Sequence, residues 1–228
     1  MSHLRSFGRR TACALATPAL VALALAAGAR PAAAQKLSLS PTIGIYVPTA
    51  DLYKVATGTT EETFRPELSL TLGGRLGLWV SPRLGIEATG DYAPGKLKFT
   101  TEGQSKVDAN TFTGAGRVTY FVIPNSSPVY LSVTGGVGYV KRSGEFYKGT
   151  NPATGQPYTS DELSDITGTA GARLGFRLGR LLHLSVGAED YIYKPDVVKG
   201  AGANVTTKTQ HDVHLNFGVG IPLLGLGS

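Results

Sequence analysis

The sequence has 228 residues, with 22 Lys and Arg against 16 Asp and Glu, 30 glycines and a single cysteine. Four of the basic residues (Arg5, Arg9, Arg10 and Arg30) and none of the acidic ones lie in the first 34 positions, so the rest of the chain has 18 basic and 16 acidic residues, a net charge of +2. That balance gives no electrostatic reason to expect a nucleic-acid partner, and the lone Cys13 excludes a disulfide framework within the chain.

Residues 1–34 have the pattern of a secretory signal peptide. A positively charged start is followed by an apolar stretch at 12–27 and by small residues at 32–34, which predicts cleavage before Gln35. Pro18 interrupts the apolar stretch, which argues against an anchor helix. We therefore expect an exported protein whose mature part is one domain at 35–228.

After Gln35 the sequence alternates between apolar and polar residues, which is the period of a strand with two different faces. Eight such runs occur, without convincing helical periodicity. The runs are 37–47, 67–80, 84–99, 109–122, 129–141, 164–178, 182–194 and 207–221. The stretches 75–92 and 173–190 are similar copies of one unit, in which a break of three residues separates two runs and predicts a β-hairpin.

The connections between these runs alternate in length. Long connections at 48–66, 100–108, 142–163 and 195–206 alternate with short ones at 81–83, 123–128 and 179–181. Long loops at one end and tight turns at the other are typical of an up-and-down barrel with an even strand number. The predicted fold is therefore all-β, an eight-stranded antiparallel barrel.

Alternation alone allows two kinds of barrel. In a secreted lipocalin-like barrel the apolar face lines a ligand cavity, whereas in a transmembrane barrel it faces lipid and the polar face fills the lumen. The polar face here is mostly Gly, Ser and Thr, and the runs reach the roughly nine to eleven residues that a tilted membrane strand needs. Tyr92, Tyr120 and Tyr139 also lie on the apolar face near the ends of their runs, where aromatic girdles occur. These features favour the membrane barrel, with the soluble barrel as the alternative.

The signal segment, the eight alternating runs, the connection pattern and the Gly-rich hairpins together resemble the small eight-stranded outer-membrane β-barrel family, the group of the outer-membrane protein A transmembrane domain. The resemblance implies an integral protein of the cell outer membrane of a Gram-negative bacterium, with long loops outside and both termini in the periplasm. It implies contact with outer-membrane lipid and lipopolysaccharide, and insertion by the outer-membrane assembly machinery. That machinery reads a terminal aromatic residue, whereas this sequence continues past Phe217. Either 217–223 serves as a weaker signal, or the last strand is recognised differently.

The polar face of the predicted strands carries a set of charged residues. In one predicted hairpin Arg75 lies diagonal to Glu87, and in another Arg173 lies diagonal to Glu189, within reach of long side chains. An eight-stranded barrel has room inside only for side chains, so such charges must pair. We expect an internal network without a constitutive channel, and a gated pore or proton path is the alternative. The predicted network consists of Arg75, Glu87, Asp91, Arg117, Arg173, Arg177 and Glu189, with Asp212 as a further candidate.

One tripeptide suggests an enzyme. Outer-membrane lipid A deacylases are similar barrels that use a His-x-Ser pair with an acidic partner, and the resemblance would make His183 the base, Ser185 the nucleophile and Glu189 the third member. However, the pair lies on the lumen face near a short turn, whereas a lipid-hydrolysing site should open to the bilayer. A lumen histidine without catalytic role is the simpler interpretation.

The longest loop, 142–163, carries Phe146, Tyr147 and Tyr158 among polar residues. Aromatic residues on an exposed loop suit binding to an extracellular ligand or surface, and they equally suit packing of loops against one another. No metal or cofactor is expected, because His211 and His214 fall on opposite faces of one strand. The sequence thus predicts a non-catalytic outer-membrane barrel with a structural or surface-interaction role.

Overall fold

The computed structural model describes residues 36–57, 60–99, 106–151, 155–160, 163–179, 182–195, 204–206 and 208–223. The predicted signal at 1–34, the cleavage position before Gln35 and most of the turn at 179–181 lie outside these residues. Within them, no helix is long and apolar enough to span a membrane.

The described residues form strands and one short 3-10 helix, Phe146–Lys148. The strands are β1 (Lys36–Pro48), β2 (Tyr53–Thr57), β3 (Thr60–Pro66), β4 (Ser69–Trp79), β5 (Leu84–Ala93), β6 (Lys96–Phe99), β7 (Val107–Asp108), β8 (Asn110–Ile123), β9 (Val129–Ser143), β10 (Ser164–Leu178), β11 (Leu182–Tyr193), β12 (Asn204–Thr206) and β13 (Gln210–Pro222).

Eight of these strands close into an antiparallel barrel, which confirms the predicted fold. Their order around the barrel is β1, β13, β11, β10, β9, β8, β5 and β4, and β1 closes the ring by pairing with both β13 and β4. Consecutive barrel strands are therefore neighbours, as in an up-and-down barrel. Because the ring has no free edge, the backbone groups of the wall are paired within the chain.

The outer surface of the barrel is apolar. Leu72 has 59% of its surface exposed and Ile166 71%, and the large exposed apolar side chains occur on all eight barrel strands. Tyr92, Tyr120 and Tyr139 also point outward. A soluble barrel would bury these faces around a cavity, so that alternative is wrong, and the barrel presents to its surroundings the apolar band that a membrane requires.

The inner surface is polar and closely filled. Arg75, Glu87 and Arg117 are buried on it although they carry charge. Glycines leave space for large neighbours: a Cβ added at Gly175 would overlap the Tyr130 ring. Side chains thus fill the interior, as expected for a barrel of eight strands.

A second sheet extends from the long-loop end of the barrel, mostly where the sequence predicts loops. Its strand order is β12, β2, β3, β6 and β7, and we call it the outer sheet. The predicted third run also proves to be two strands, since β5 ends at Ala93 and β6 begins at Lys96 in the outer sheet. The outer sheet has its own apolar core, which consists of Leu52, Val55, Phe64, Leu97, Ala109 and Tyr147. These loops therefore form an ordered unit.

Candidate functional site

Five charged side chains from five strands meet at the middle of the lumen, and we call them the charge layer: Arg75, Glu87, Arg117, Arg173 and Glu189. The Arg75 Nη2 and Glu189 Oε1 atoms are 2.5 Å apart, and Arg117 Nη1 lies 2.6 Å from Glu189 Oε2. Arg173 binds Glu87 with both terminal nitrogens, at 2.6 and 2.8 Å. Bidentate pairs of this kind are strong and directional. All five side chains are nearly inaccessible to solvent. The two carboxylates, rather than water, therefore stabilise the three guanidinium charges.

The partners in the charge layer differ from those that the hairpins suggest. The diagonal contacts within a hairpin exist but are long, 3.7 Å between Arg75 Nε and Glu87 Oε2 and 3.6 Å between Arg173 Nη2 and Glu189 Oε1. The shorter contacts cross the lumen, from Arg75 to Glu189 and from Arg173 to Glu87. Arg75 and Arg173 therefore each bond more closely to the glutamate of the other hairpin, and these contacts connect opposite walls of the barrel.

Two residues of the predicted network have hydrogen-bond partners outside these five. Asp91 is buried and accepts a hydrogen bond from the Thr42 hydroxyl at 3.2 Å. Arg177 lies at the short-turn end, where its Nη1 donates to the carbonyl oxygens of Asn125 and Ser126 at 3.2 and 3.0 Å. Arg177 thus stabilises a short turn by hydrogen bonds and is not part of the charge layer.

A second polar layer lies toward the long-loop end, and Asp212 is the member of it that the sequence offered as a candidate for the internal network. The Tyr193 hydroxyl donates to Asp212 Oδ2 at 2.6 Å, and Arg142 Nη1 lies 2.7 Å from Asp165 Oδ2. The Arg142 guanidinium also lies over the Tyr193 ring, 5.2 Å from its centre. In the alternating pattern of their strands, Tyr193 and Arg142 lie at inward-facing positions, as the charged residues do. That alternation is the feature of the sequence from which this layer could have been predicted.

Aromatic rings pack against one another in the lumen at the short-turn end. The ring centres of Trp79 and Phe121 are 5.0 Å apart, those of Phe121 and Tyr130 are 5.7 Å apart, and His183 lies 6.4 Å beyond Tyr130. These separations are typical of aromatic pairs in protein interiors. His183 is thus part of an aromatic layer inside the barrel.

The three residues of the suggested deacylase site do not form a triad. Glu189 lies six residues beyond His183 on β11, about 20 Å along an extended strand, and it is engaged by the arginines of the charge layer. The Ser185 hydroxyl is buried in the lumen, 3.5 Å from the carbonyl oxygen of Gly218. The acidic member is therefore out of reach of the imidazole.

The aromatic residues of the longest loop pack into the outer sheet. The Phe146 and Tyr147 rings are 5.0 Å apart, and Tyr158 lies within 5.6 Å of both ring centres. Burial raises the pKa of the Tyr147 hydroxyl to about 12, so it stays neutral. Phe146, Tyr147 and Tyr158 therefore pack against other loop residues, which is one of the two possibilities that the sequence left open. Ligand binding by these residues stays a prediction.

The two histidines of the last strand lie on opposite faces, as predicted. His211 is exposed, and its Nδ1 lies 2.7 Å from Asp190 Oδ2. His214 is buried between the rings of Tyr46 and Tyr191, whose centres lie 5.4 and 5.0 Å away. Among the described residues, no group of three or more His, Cys, Asp or Glu has the arrangement of a metal site.

Comparison with known proteins gives a consistent result. The family model described as outer membrane protein beta-barrel domain matches residues 19–222. The structure is similar to outer membrane protein OprG from Pseudomonas aeruginosa, with a TM-score of 0.63 and 10% identity over 84% of this chain and 97% of that one. It is also similar to outer membrane protein AlkL in lipid bilayers, with a TM-score of 0.58 and 15% identity over 88% and 96% of the two chains. No curated protein matches the sequence. At these identities the structural likeness concerns the fold alone.

Proposed function

The chain belongs to the outer membrane protein beta-barrel domain family, and from this premise we propose that it is a non-catalytic barrel that holds an ordered interaction surface outside the cell. The observation that carries the proposal is the outer sheet, which has a core of its own beyond the barrel wall. Closing the barrel does not require such a unit. Its partner is an extracellular ligand or surface, and nucleic acid is not among the candidates.

The filled lumen supports a role without a constitutive pore. The charge layer occupies the middle of the barrel, and Trp79, Phe121 and Tyr130 pack below it. Buried ion pairs of this geometry are costly to break, because each leaves an uncompensated charge behind. Ions and solutes would have to disrupt these contacts to pass. In the same contacts Glu189 is bound to arginine side chains, whereas the alternative hydrolase would need it as the acidic partner of His183.

Export depends on the signal at 1–34 with cleavage before Gln35, which leaves a mature domain at 35–228. The outer-membrane assembly machinery then inserts the barrel, and the short turns face the periplasm. The outer sheet consequently lies on the cell surface.

Cysteine labelling tests that placement. The natural cysteine, Cys13, lies in the predicted signal, so a single introduced cysteine gives an unambiguous readout. We expect Lys148→Cys, whose side chain is exposed beside the outer sheet, to react with a membrane-impermeant maleimide in intact cells. We expect Ser126→Cys, exposed in a short turn, to react only after the outer membrane is permeabilised. The reverse pattern would place the outer sheet in the periplasm and refute the proposed function.

A further inference from the structure

A groove of about 510 Å³ lies where the outer sheet meets the barrel rim. Val47 at the end of β1 and Leu68 before β4 supply apolar lining, and Arg65, Glu67 and Lys98 supply charge. The backbone N–H of Glu67 donates to the carbonyl oxygen of Lys96 at 2.9 Å, which fixes the wall between β3 and β6. The groove thus combines a charged side and an apolar side. We call it the rim groove.

The rim groove has more positive than negative charge. Glu67 Oε1 lies 2.7 Å from Lys98 Nζ and 2.9 Å from Lys106 Nζ, so one carboxylate serves two ammonium groups. Hydrogen bonds from Lys98 and then Lys106 lower the pKa of Glu67, so this carboxylate stays ionised and bound to the two ammonium groups. Arg65 is exposed, lies directly opposite Lys98 in the β3–β6 ladder, and forms no ion pair with a described residue. Like charges directly opposite each other destabilise a sheet, and an anion bound beside both of them offsets that repulsion.

The donors at the rim groove remain accessible. The Lys98 and Lys106 side chains are 59% and 54% exposed, and an ammonium group has three donors, of which Glu67 uses one from each. Arg65 adds a planar fork that matches the oxygens of a phosphate group. The excess cations are therefore placed to bind a further anion.

The apolar side of the rim groove continues into the lipid-facing surface of the barrel. Leu68 and Leu70 are each 65% exposed and share the outward phase of Leu72. A molecule in the groove can therefore contact the cations and the apolar band together. A free anion would use only the cations, whereas a lipid with a phosphorylated headgroup uses both sides.

We propose that the rim groove binds a phosphorylated lipid of the outer leaflet, with its phosphate on Arg65 and Lys98 and its acyl chain against Leu68 and Leu70. Lipid A, the phosphorylated anchor of lipopolysaccharide, has this chemistry. The inference rests on the proposed function, because the groove meets the outer leaflet only if the outer sheet lies outside the cell. The rim groove would thus be a lipid-binding site in addition to the interaction surface that the outer sheet forms.

Titration of the purified full-length protein in detergent with lipid A tests the proposal, with dephosphorylated lipid A as the comparison ligand. We expect Arg65→Gln with Lys98→Gln to weaken lipid A binding about 30-fold, and Arg65→Gln alone about fivefold, from the usual contribution of a basic residue at an anionic lipid surface. The control Lys148→Gln with Lys208→Gln removes two exposed cations elsewhere and is expected to stay within about twofold. Each variant is checked for folding by its heat-dependent gel mobility.

Three results would overturn the proposal: equal affinity for phosphorylated and dephosphorylated lipid A, unchanged affinity in a folded Arg65→Gln protein, or binding of inorganic phosphate as tight as that of lipid A. The last result would make the groove a plain anion site. Failure of the proposed function is distinguishable, because the labelling of Lys148→Cys and Ser126→Cys reports the orientation of the outer sheet independently of any lipid affinity.

Discussion

Replacing Glu189 with Gln is expected to lower the free energy of unfolding by about 3–5 kcal/mol, the usual cost of removing one partner from a buried ion pair. Glu189 contacts Arg75 at 2.5 Å and Arg117 at 2.6 Å, and all three side chains are buried. Gln has almost the same shape but no charge. The variant would leave three guanidinium groups in the lumen with Glu87 as the remaining carboxylate of the charge layer.

Unfolding in lipid vesicles with increasing denaturant measures this loss. The sequence has one tryptophan, Trp79, which packs against Phe121 inside the barrel and reports unfolding by its fluorescence. Glu145→Gln is the matched control, because the Glu145 side chain is 73% exposed and its contact with Lys148 is 3.9 Å long. We expect the control to change the unfolding free energy by less than about 0.5 kcal/mol. A similar small change for Glu189→Gln would show that the charge layer does not hold the barrel together.

Placing an arginine at Leu72 is expected to block assembly into the membrane. The Leu72 side chain points outward from the first half of β4, opposite Ile43 on β1 and Tyr92 on β5. A charge that faces lipid costs about 2–4 kcal/mol at the bilayer midplane and less toward the interfaces. The neighbouring change Thr71→Ser lies on the buried lumen face, keeps the hydroxyl and is expected to be nearly silent.

The amount of each variant that reaches the outer-membrane fraction in folded form measures this difference. We expect little folded Leu72→Arg protein and a normal amount of Thr71→Ser protein. Normal assembly of Leu72→Arg would mean that the Leu72 face does not contact lipid, and the assignment of inner and outer faces would then be wrong.

The barrel wall could be predicted from the sequence because lipid and lumen impose opposite chemistry on alternate residues. The predicted sixth run, 164–178, coincides with β10, Ser164–Leu178, and the other barrel strands differ from their predicted runs mainly at the ends. The outer sheet could not be predicted in this way. Its strands are short, and β12 at Asn204–Thr206 pairs with β2, about 150 residues earlier in the chain, so no local pattern reveals the pairing.

The interior was predictable in composition but less so in its contacts. The inward phase of Arg75 and Glu189 follows from alternation, and the hairpin turns give the neighbours within each pair of strands. The contact between Arg75 and Glu189 depends on how far long side chains reach across the closed ring. Closure brings together strands that are distant in sequence, so the cross-lumen contacts appear only in the three-dimensional structure.

The gel mobility of the protein from the outer-membrane fraction, compared with and without boiling in SDS, tests the membrane barrel most directly. A closed barrel resists SDS until it is heated, because its backbone groups are paired within the ring. We predict that the unboiled protein migrates at a different position from the boiled protein and is found with the outer membrane. A protein that is soluble in the periplasm and migrates identically in both samples would contradict the transmembrane barrel.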